Sequence, residues 1–228
     1  MPAEQFTVVI PVHNEAAFLT TALARLADQL ADLEFRLILV ENGSTDGTLK
    51  VARDLQAAYP WLEVTNLEKA DYGSAMREGF SMVDSEWAVA FDIDYFSRDF
   101  VEELLHHGPN SDIVIASKRD PRTDDHRALL RQIGTRAFNL LLRVLFKSRV
   151  TDTHGMKAIR RKVLQDVMPD VVSREDLFDT ELILRAERAG YRITEVPAVV
   201  ENLRPARSSY LARVPRTLVG LFKMRQIL

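Results

Sequence analysis

The chain has 228 residues, of which 46% are hydrophobic and 28% charged, with a formal net charge of −3 and no cysteine. This size and apolar content fit one large domain and exclude a disordered chain. The absence of cysteine excludes a disulfide framework and any thiolate metal site, and it favours a cytoplasmic protein. We expect neither a signal peptide nor a membrane span, because no uncharged apolar run approaches the roughly 20 residues that a span needs.

Apolar strand-like segments alternate with helix-like segments through the first half of the chain. In this half, Asn14 and Ser97 are expected to cap helices. After a polar loop at 120–126, the pattern predicts two further helices and a last strand. The strands are predicted at 6–12, 36–40, 61–67, 86–93, 112–117 and 191–200, and the later helices at 127–147 and about 175–189. This alternation with short connections predicts an α/β fold, a mostly parallel sheet flanked by helices in a single domain.

Polar side chains follow four of the predicted strands. Ligands of such folds bind outside the carboxyl ends of the strands, so these clusters indicate a binding site at one edge of the sheet. The clusters are His13-Asn14-Glu15, Glu41-Asn42, Asp92 with Asp94, and Lys118-Arg119.

Asp92 and Asp94 close an apolar strand-like segment. In an extended segment, residues two apart point the same way, about 6–7 Å from each other. Two ionised carboxylates this close favour a divalent cation between them, and Mg²⁺ or Mn²⁺ would bridge them to a diphosphate. Such a pair alone would also fit solvated turn residues, but its place at the end of an apolar strand favours the metal site.

The segment 41–48, ENGSTDGT, has the glycines of a tight turn, and Ser44, Thr45 or Asp46 can cap the helix that follows. Glu41 and Asn42 stand directly at the strand end, where they can hydrogen-bond a base or a ribose. No G-x-G-x-x-G or P-loop pattern is present, which makes a dinucleotide site or a P-loop unexpected.

Basic residues are concentrated in two acid-free stretches, 127–149 and 202–228, with six Lys or Arg in each. Such segregation favours an anionic partner at two places, although each stretch alone also fits a solvated helix face. Few aromatic residues are interleaved, so nucleic acid is not an expected partner. The first stretch fits either a core helix or a membrane-surface helix, and the tail 210–228 fits either membrane attachment or docking on the domain.

Six ordered segments resemble family 2 glycosyltransferases with the GT-A fold, and within that family the polyprenyl-phosphate (dolichol-phosphate) mannosyl- and glucosyltransferases. The resemblance covers most of the chain. The segments are VVIPVHNE (8–15), ENGSTDGT (41–48), DYGSAMREGF (71–80), FDID (91–94), VTDTHGMKAIRR (150–161) and FDTELILRAERAGYRITEVP (178–197).

The resemblance implies an inverting enzyme that moves a hexose from a nucleotide sugar, of the GDP-mannose or UDP-glucose type, to a polyprenyl phosphate. The catalytic domain would be 1–202, followed by a basic amphipathic extension at 203–228. The enzyme would act peripherally at the cytoplasmic face of a membrane. An acceptor phosphate is already ionised at neutral pH, so no strong general base is required.

The resemblance also implies roles for individual residues. Asp92 and Asp94 would hold Mg²⁺ or Mn²⁺ and, with Arg131, act in catalysis. The nucleotide-sugar pocket would comprise Pro11, His13, Glu15, Glu41, Asn42 and Asp92, with Arg204 and Arg207 in a loop that closes over the donor. The acceptor phosphate would be bound by Lys118, Arg131 and Thr135.

The chain departs from the family pattern at several points. Glu41-Asn42 replaces the usual Asp-Asp, His13 replaces a Tyr, and Phe96 replaces a Gln that can ligate the metal. No transmembrane helices follow the predicted catalytic domain, so a lipid acceptor would be met peripherally or through a separate partner.

Two alternatives stay open. The first is a family 2 enzyme with a hydroxyl acceptor, which needs a base, and Asp176 or Asp179 is the candidate. The second is a catalytically silent protein that binds nucleotide sugars. The sequence gives no indication of the oligomeric state.

Overall fold

A computed structural model describes residues 6–117, 129–198 and 210–228, without the side chains at 129–136, 176 and 210–216. Short 3-10 helices lie at Gly108–Asn110, Met168–Asp170 and Glu175–Leu177. In chain order, the strands and α-helices are β1 Phe6–Val12, α1 Ala16–Gln29, β2 Phe35–Asn42, α2 Thr48–Ala58, β3 Leu62–Leu67, α3 Tyr72–Ser81, β4 Trp87–Ala90, α4 Arg98–His107, β5 Ile113–Ser117, α5 Leu129–Phe146, β6 Lys157–Arg160, α6 Arg161–Val167, α7 Phe178–Arg188, β7 Ile193–Pro197 and α8 Tyr210–Ile227.

The strands form one seven-stranded sheet in the order β3-β2-β1-β4-β6-β5-β7. Strand β6 runs antiparallel to both of its neighbours, and the other pairs are parallel. The predicted α/β class and mostly parallel sheet are therefore confirmed. The carboxyl ends of the parallel strands meet at one edge, and the antiparallel direction of β6 brings its first residue, Lys157, towards that same edge.

Helices cover both faces of the sheet, which is why the strands read as continuous apolar runs rather than as alternating ones. In β1, Val8 and Ile10 belong to a core cluster with α1 and α4, whereas Val9 belongs to a second cluster with α3, α6 and α7. Successive side chains of β1 therefore point to opposite faces of the sheet and contribute to both halves of the core.

Strand β6 was not predicted from the sequence. It has only four residues, KAIR, and it starts with a lysine that suggests a solvent-facing position. Lys157 is nevertheless buried, because a carboxylate from α7 neutralises it within the core. The helix cap predicted at Ser97 is confirmed, since its Oγ accepts a hydrogen bond from the Phe100 N–H.

The cap predicted at Asn14 is wrong. Helix α1 begins after Glu15, with no side-chain cap. Asn14 has a positive φ of 56°, and its Oδ1 accepts a hydrogen bond from the backbone N–H of Thr45, 2.9 Å away. The side chain therefore ties two loops together. The cap of α2 expected at Ser44, Thr45 or Asp46 is wrong too, because the N-cap is Gly47 and no side chain caps it. The carboxylate of Asp46 instead accepts a hydrogen bond from the N–H of Thr48, the first residue of the helix.

Helices α5 and α8 pack together over α7 in a third apolar cluster. The cluster contains the buried side chains of Leu142, Phe146, Leu184, Leu221 and Met224. The tail of the chain therefore docks on the domain, one of the two arrangements that its sequence allowed. No helix within the described ranges is both long and apolar enough to cross a bilayer.

Candidate functional site

A cleft of about 670 Å³ opens at the edge where the carboxyl ends of the parallel strands meet. Its position is the one expected of a ligand site in an open α/β sheet. Four residues assigned to a nucleotide-sugar pocket from the sequence line it: Pro11, His13, Asn42 and Asp92. The remaining lining residues are Val12, Ala70, Asp71, Tyr72, His154, Glu175 and Asp179.

His13 directly follows the carboxyl end of β1 and is exposed, and both of its ring nitrogens make hydrogen-bond contacts. Its Nδ1 lies 2.8 Å from the backbone oxygen of Asn42, and its Nε2 lies 3.0 Å from the side-chain nitrogen of Asn14. The Asn14 amide nitrogen can only donate and the Asn42 carbonyl can only accept, so the contacts fit the tautomer with its proton on Nδ1. With its nitrogens occupied, the ring can offer a ligand its flat face.

Glu41 and Asn42 hold the loop between β2 and α2. Glu41 is buried, and its Oε1 accepts a hydrogen bond of 2.7 Å from the Ser44 N–H. Asn42 Oδ1 accepts one of 2.8 Å from the Asp71 N–H. Gly43 in this loop lies very close to residues 69–70. A Cβ at this position would lie only 2.7 Å from the backbone nitrogen of Ala70. Glu15 is also buried, and neither glutamate is among the lining residues.

The extended geometry expected for Asp92 and Asp94 is wrong. Strand β4 ends at Ala90, and residues 92–95 form a tight turn closed by two backbone hydrogen bonds between Asp92 and Tyr95. Asp92 is exposed and lines the cleft, whereas Asp94 is half-buried at the corner of the turn. Phe96 is buried in the core, which fits a side chain that takes no part in metal binding.

The two carboxylates of this turn fit a hard divalent cation that is completed by a ligand. In the described residues, no group of three or more His, Cys, Asp or Glu side chains converges on a possible metal position. Mg²⁺ is usually held by one or two carboxylates together with substrate phosphates, and this donor set is of that kind.

Asp71 was missed by the sequence analysis, although an aspartate directly before a helix is a recognisable cap. Its carboxylate accepts hydrogen bonds from the Ser74 N–H, the Ser74 hydroxyl and the Glu175 N–H. Burial alone would raise the pKa of Asp71, but these hydrogen bonds and the charge of Arg174 together hold it below its usual value. Asp71 therefore connects the start of α3 to the turn that precedes α7.

Asp179 lies on α7 at the wall of the cleft. Its Oδ2 is 3.0 Å from Lys157 Nζ and accepts a hydrogen bond of 2.8 Å from the Tyr72 hydroxyl. The two charged side chains are only 2–3% exposed. Asp179 was one of two candidate bases for a hydroxyl acceptor, and the side chain of the other, Asp176, lies outside the described residues.

The other predicted binding residues cannot be placed. Lys118, Arg204 and Arg207 lie outside the described residues. Arg131 and Thr135 fall on α5, but their side chains are outside the described part. Their assigned roles towards an acceptor phosphate and a closing loop therefore stay predictions.

The sequence profile of the family described as "Glycosyl transferase family 2" matches residues 7–168. The chain belongs to this family. It is 27% identical over 202 residues to "Glycosyltransferase AglD" of Haloferax volcanii, an alignment that covers 85% of this chain but only 32% of that protein. It is 28% identical over 198 residues to "Uncharacterized glycosyltransferase Mb0553" of Mycobacterium bovis, covering 86% of this chain and 85% of that protein.

Solved structures show the same GT-A fold. Glucosyl-3-phosphoglycerate synthase from Mycobacterium tuberculosis, in complex with UDP, matches 99% of this chain and 81% of its own, with a TM-score of 0.70 at 18% identity. The mannosyltransferase PcManGT from Pyrobaculum calidifontis, in complex with GDP-Man and Mn²⁺, matches 96% and 63%, with a TM-score of 0.65 at 23% identity. At these identities the comparison establishes the family 2 fold alone.

Replacement of the cap at Asp71 is expected to destabilise the fold. Asp71→Ala should lower the free energy of unfolding by about 1–2 kcal/mol at neutral pH. The folded-state pKa of Asp71 is below its ordinary value of 3.8, so its contribution is complete above that value and is lost as the pH falls through the lowered one. In urea unfolding, the difference in the free energy of unfolding between the wild type and Asp71→Ala should therefore shrink below about pH 4.

The matched control is Asp99→Ala, which removes an exposed acid from the first turn of α4 without removing a cap. We expect a smaller loss there. An Asp71→Ala protein as stable as wild type at neutral pH would contradict the assigned role.

Proposed function

We propose that the chain is an inverting glycosyltransferase that moves a hexose from a nucleotide sugar to the phosphate of a polyprenyl phosphate. The carrying observation is the carboxylate of Asp92 in the cleft of a family 2 chain, on a turn shared with Asp94. Structural neighbours hold GDP-Man with Mn²⁺, or UDP with Mn²⁺ and phosphoglyceric acid, which supports a nucleotide sugar and a divalent cation here.

The donor half of this proposal follows from charge. Asp92 and Asp94 would hold Mg²⁺ or Mn²⁺, and the ion would offset the charge that develops on the departing nucleoside diphosphate. The loop fixed by Glu41 and Asn42, and the ring face of His13, would form the nucleotide side of the cleft. Arg204 and Arg207 would close over the donor.

The acceptor half is supported by the state of Asp179. A general base needs a free oxygen within reach of the proton that it removes. In Asp179, Oδ2 is bound by Lys157 and Tyr72, and Oδ1 would be taken by the transferred sugar, so neither oxygen is left for an acceptor hydroxyl. A phosphate acceptor needs no base, and Lys118, Arg131 and Thr135 would orient it. A hydroxyl acceptor would instead depend on Asp176.

Membrane approach is supported by the outer surfaces of α5 and α8. Val144 on α5 and Phe222 on α8 are 67% and 58% exposed, and Leu140, Val219 and Ile227 are exposed as well. Arg143, Lys147, Lys223 and Arg225 lie on or beside the same two helices. Apolar side chains among basic ones suit attachment to an anionic lipid surface, which would place the enzyme peripherally at the cytoplasmic face of a membrane.

Metal binding should depend on the nucleotide. Within the described residues no third His, Cys, Asp or Glu joins the two carboxylates, so they would bind Mn²⁺ weakly by themselves and diphosphate oxygens would complete its coordination. Calorimetry should show at least about tenfold tighter Mn²⁺ binding in the presence of UDP or GDP, equivalent to about 1.4 kcal/mol. Asp92→Asn should abolish this enhancement. Tight Mn²⁺ binding without nucleotide would contradict the assignment.

Activity is tested with a panel of UDP- and GDP-sugars and Mn²⁺, with and without a polyprenyl phosphate, scored for lipid-linked sugar. We expect one donor to give a product that requires the lipid, and Asp92→Asn to reduce the rate at least about 100-fold. Transfer to a hydroxyl acceptor, lost in Asp176→Asn, would favour the first alternative. Binding of a nucleotide sugar without turnover would favour the silent binding protein.

Membrane attachment is tested with vesicles of phosphatidylcholine, alone or mixed with phosphatidylglycerol. The wild type should co-sediment with the anionic vesicles. Val144→Ser combined with Phe222→Ser should weaken this about tenfold or more, because each buried apolar side chain contributes about 1.5–3 kcal/mol.

The vesicle control is Leu105→Ser on α4, a partly exposed apolar residue on another helix. It should leave binding unchanged. Equal binding by the wild type and the double variant would contradict attachment through this surface.

A further inference from the structure

One polar atom at the wall of the cleft has no role in the fold. Among the buried side-chain oxygens of the described residues, Asp179 Oδ1 has no hydrogen-bond partner. The residue is 2% exposed and lines the cleft. A buried acceptor without a donor costs about 1–3 kcal/mol, and more when it is charged, so the atom needs an explanation.

Three separate elements position Asp179. It sits in the first turn of α7 between Phe178 and Thr180, both fully buried. Its Oδ2 binds Lys157 from the interior strand β6 and the hydroxyl of Tyr72 from α3. One carboxylate oxygen is therefore used to fix the group, and the other remains available.

The ion pair is a poor device for stability alone. Burying a lysine and an aspartate removes both charges from water, and an apolar pair of similar volume is often as stable or more so. A fixed carboxylate with one unpaired oxygen beside a cleft is better explained as a binding group.

The chemistry of the carboxylate selects its partner. An ionised carboxylate only accepts hydrogen bonds, so the ligand must bring a donor. A diphosphate has no donor at neutral pH and would be repelled, whereas a sugar hydroxyl is a neutral donor. Asp92 lies in the same cleft and would take the diphosphate through a cation. The hydroxyl groups of the nucleotide sugar, on the hexose or the ribose, are then the groups left for Asp179, and we choose the hexose between them.

We propose that Asp179 accepts a hydrogen bond from a hydroxyl group of the transferred hexose and contributes to the choice of sugar. Lys157 and Tyr72 are its positioning residues. Oδ1 exposes less than 1 Å² in the open cleft. A small rotation about the soft Cβ–Cγ bond would bring it to the surface. A site built to bind a hydroxyl strongly rejects an analogue that lacks it, so this contact would discriminate among hexoses.

This assignment rests on the proposed function, and its test separates the sugar from the nucleotide. The affinities of UDP-glucose, GDP-mannose, UDP and GDP are measured by calorimetry with Mn²⁺. For the nucleotide that the wild type binds more tightly, uridine or guanosine, the affinity of the nucleotide sugar is then compared with that of the nucleoside diphosphate. The double variant Asp179→Leu with Lys157→Met removes the acceptor without leaving a buried charge unpaired. It should weaken the affinity for the nucleotide sugar about tenfold or more and change the affinity for the nucleoside diphosphate by less than about twofold.

Further variants keep the test independent of folding. Asp179→Asn, which retains the shape, should give a smaller loss in the same direction. Tyr72→Phe should also weaken only the nucleotide sugar. Its matched control is Tyr191→Phe, which removes an exposed hydroxyl bound to Asp166 and should change neither affinity.

Three other outcomes would contradict either the assignment of Asp179 to the hexose or the proposed function. Equal losses for the nucleotide sugar and the nucleoside diphosphate would assign Asp179 to the ribose or to the fold, and overturn its assignment to the hexose. Unchanged affinities would overturn it as well. A folded wild type that binds none of the four probes would overturn the proposed function itself, and this assignment with it.

Discussion

The ion pair between Lys157 and Asp179 joins the centre of the sheet to the helix that walls the cleft. Lys157 is the first residue of β6, the strand that lies between β4 and β5 in the sheet, and Asp179 lies in the first turn of α7. Neither charge could stay buried without the other, because an isolated charge in a protein interior costs several kcal/mol. The strand and the helix are therefore tied together by electrostatics at the place where ligand chemistry is expected.

Charge also distinguishes two regions of the cleft, to which we assign different tasks. Asp92 is exposed on a turn, where a cation can join it to phosphate oxygens. Asp179 is buried, and its charge is neutralised by Lys157. Two carboxylates in one cavity thus have unlike surroundings and suit unlike parts of one donor molecule. Family membership by itself would not reveal this division, since it depends on which groups stand behind each acid.

Local patterns in the sequence predicted much of the fold, and longer-range contacts account for what they missed. Strand β1 was predicted with its observed bounds, because a buried parallel strand is apolar throughout. Strand β6 was missed because Lys157, its first residue, is neutralised by Asp179, 22 positions further along the chain. The turn at Asp92 was misjudged because its closing bonds to Tyr95 are not encoded by the two acids themselves.

The position of β6 between β4 and β5 affects how the chain can be assembled. Residues 6–90 contain four adjacent parallel strands that can pair as soon as they are made. Strand β5 has no place beside them until residue 160 is available, because β6 must first occupy the open edge of β4. During synthesis that edge stays unpaired for some 70 residues. A nascent chain of this protein would therefore carry an adhesive strand edge for several seconds at ordinary elongation rates.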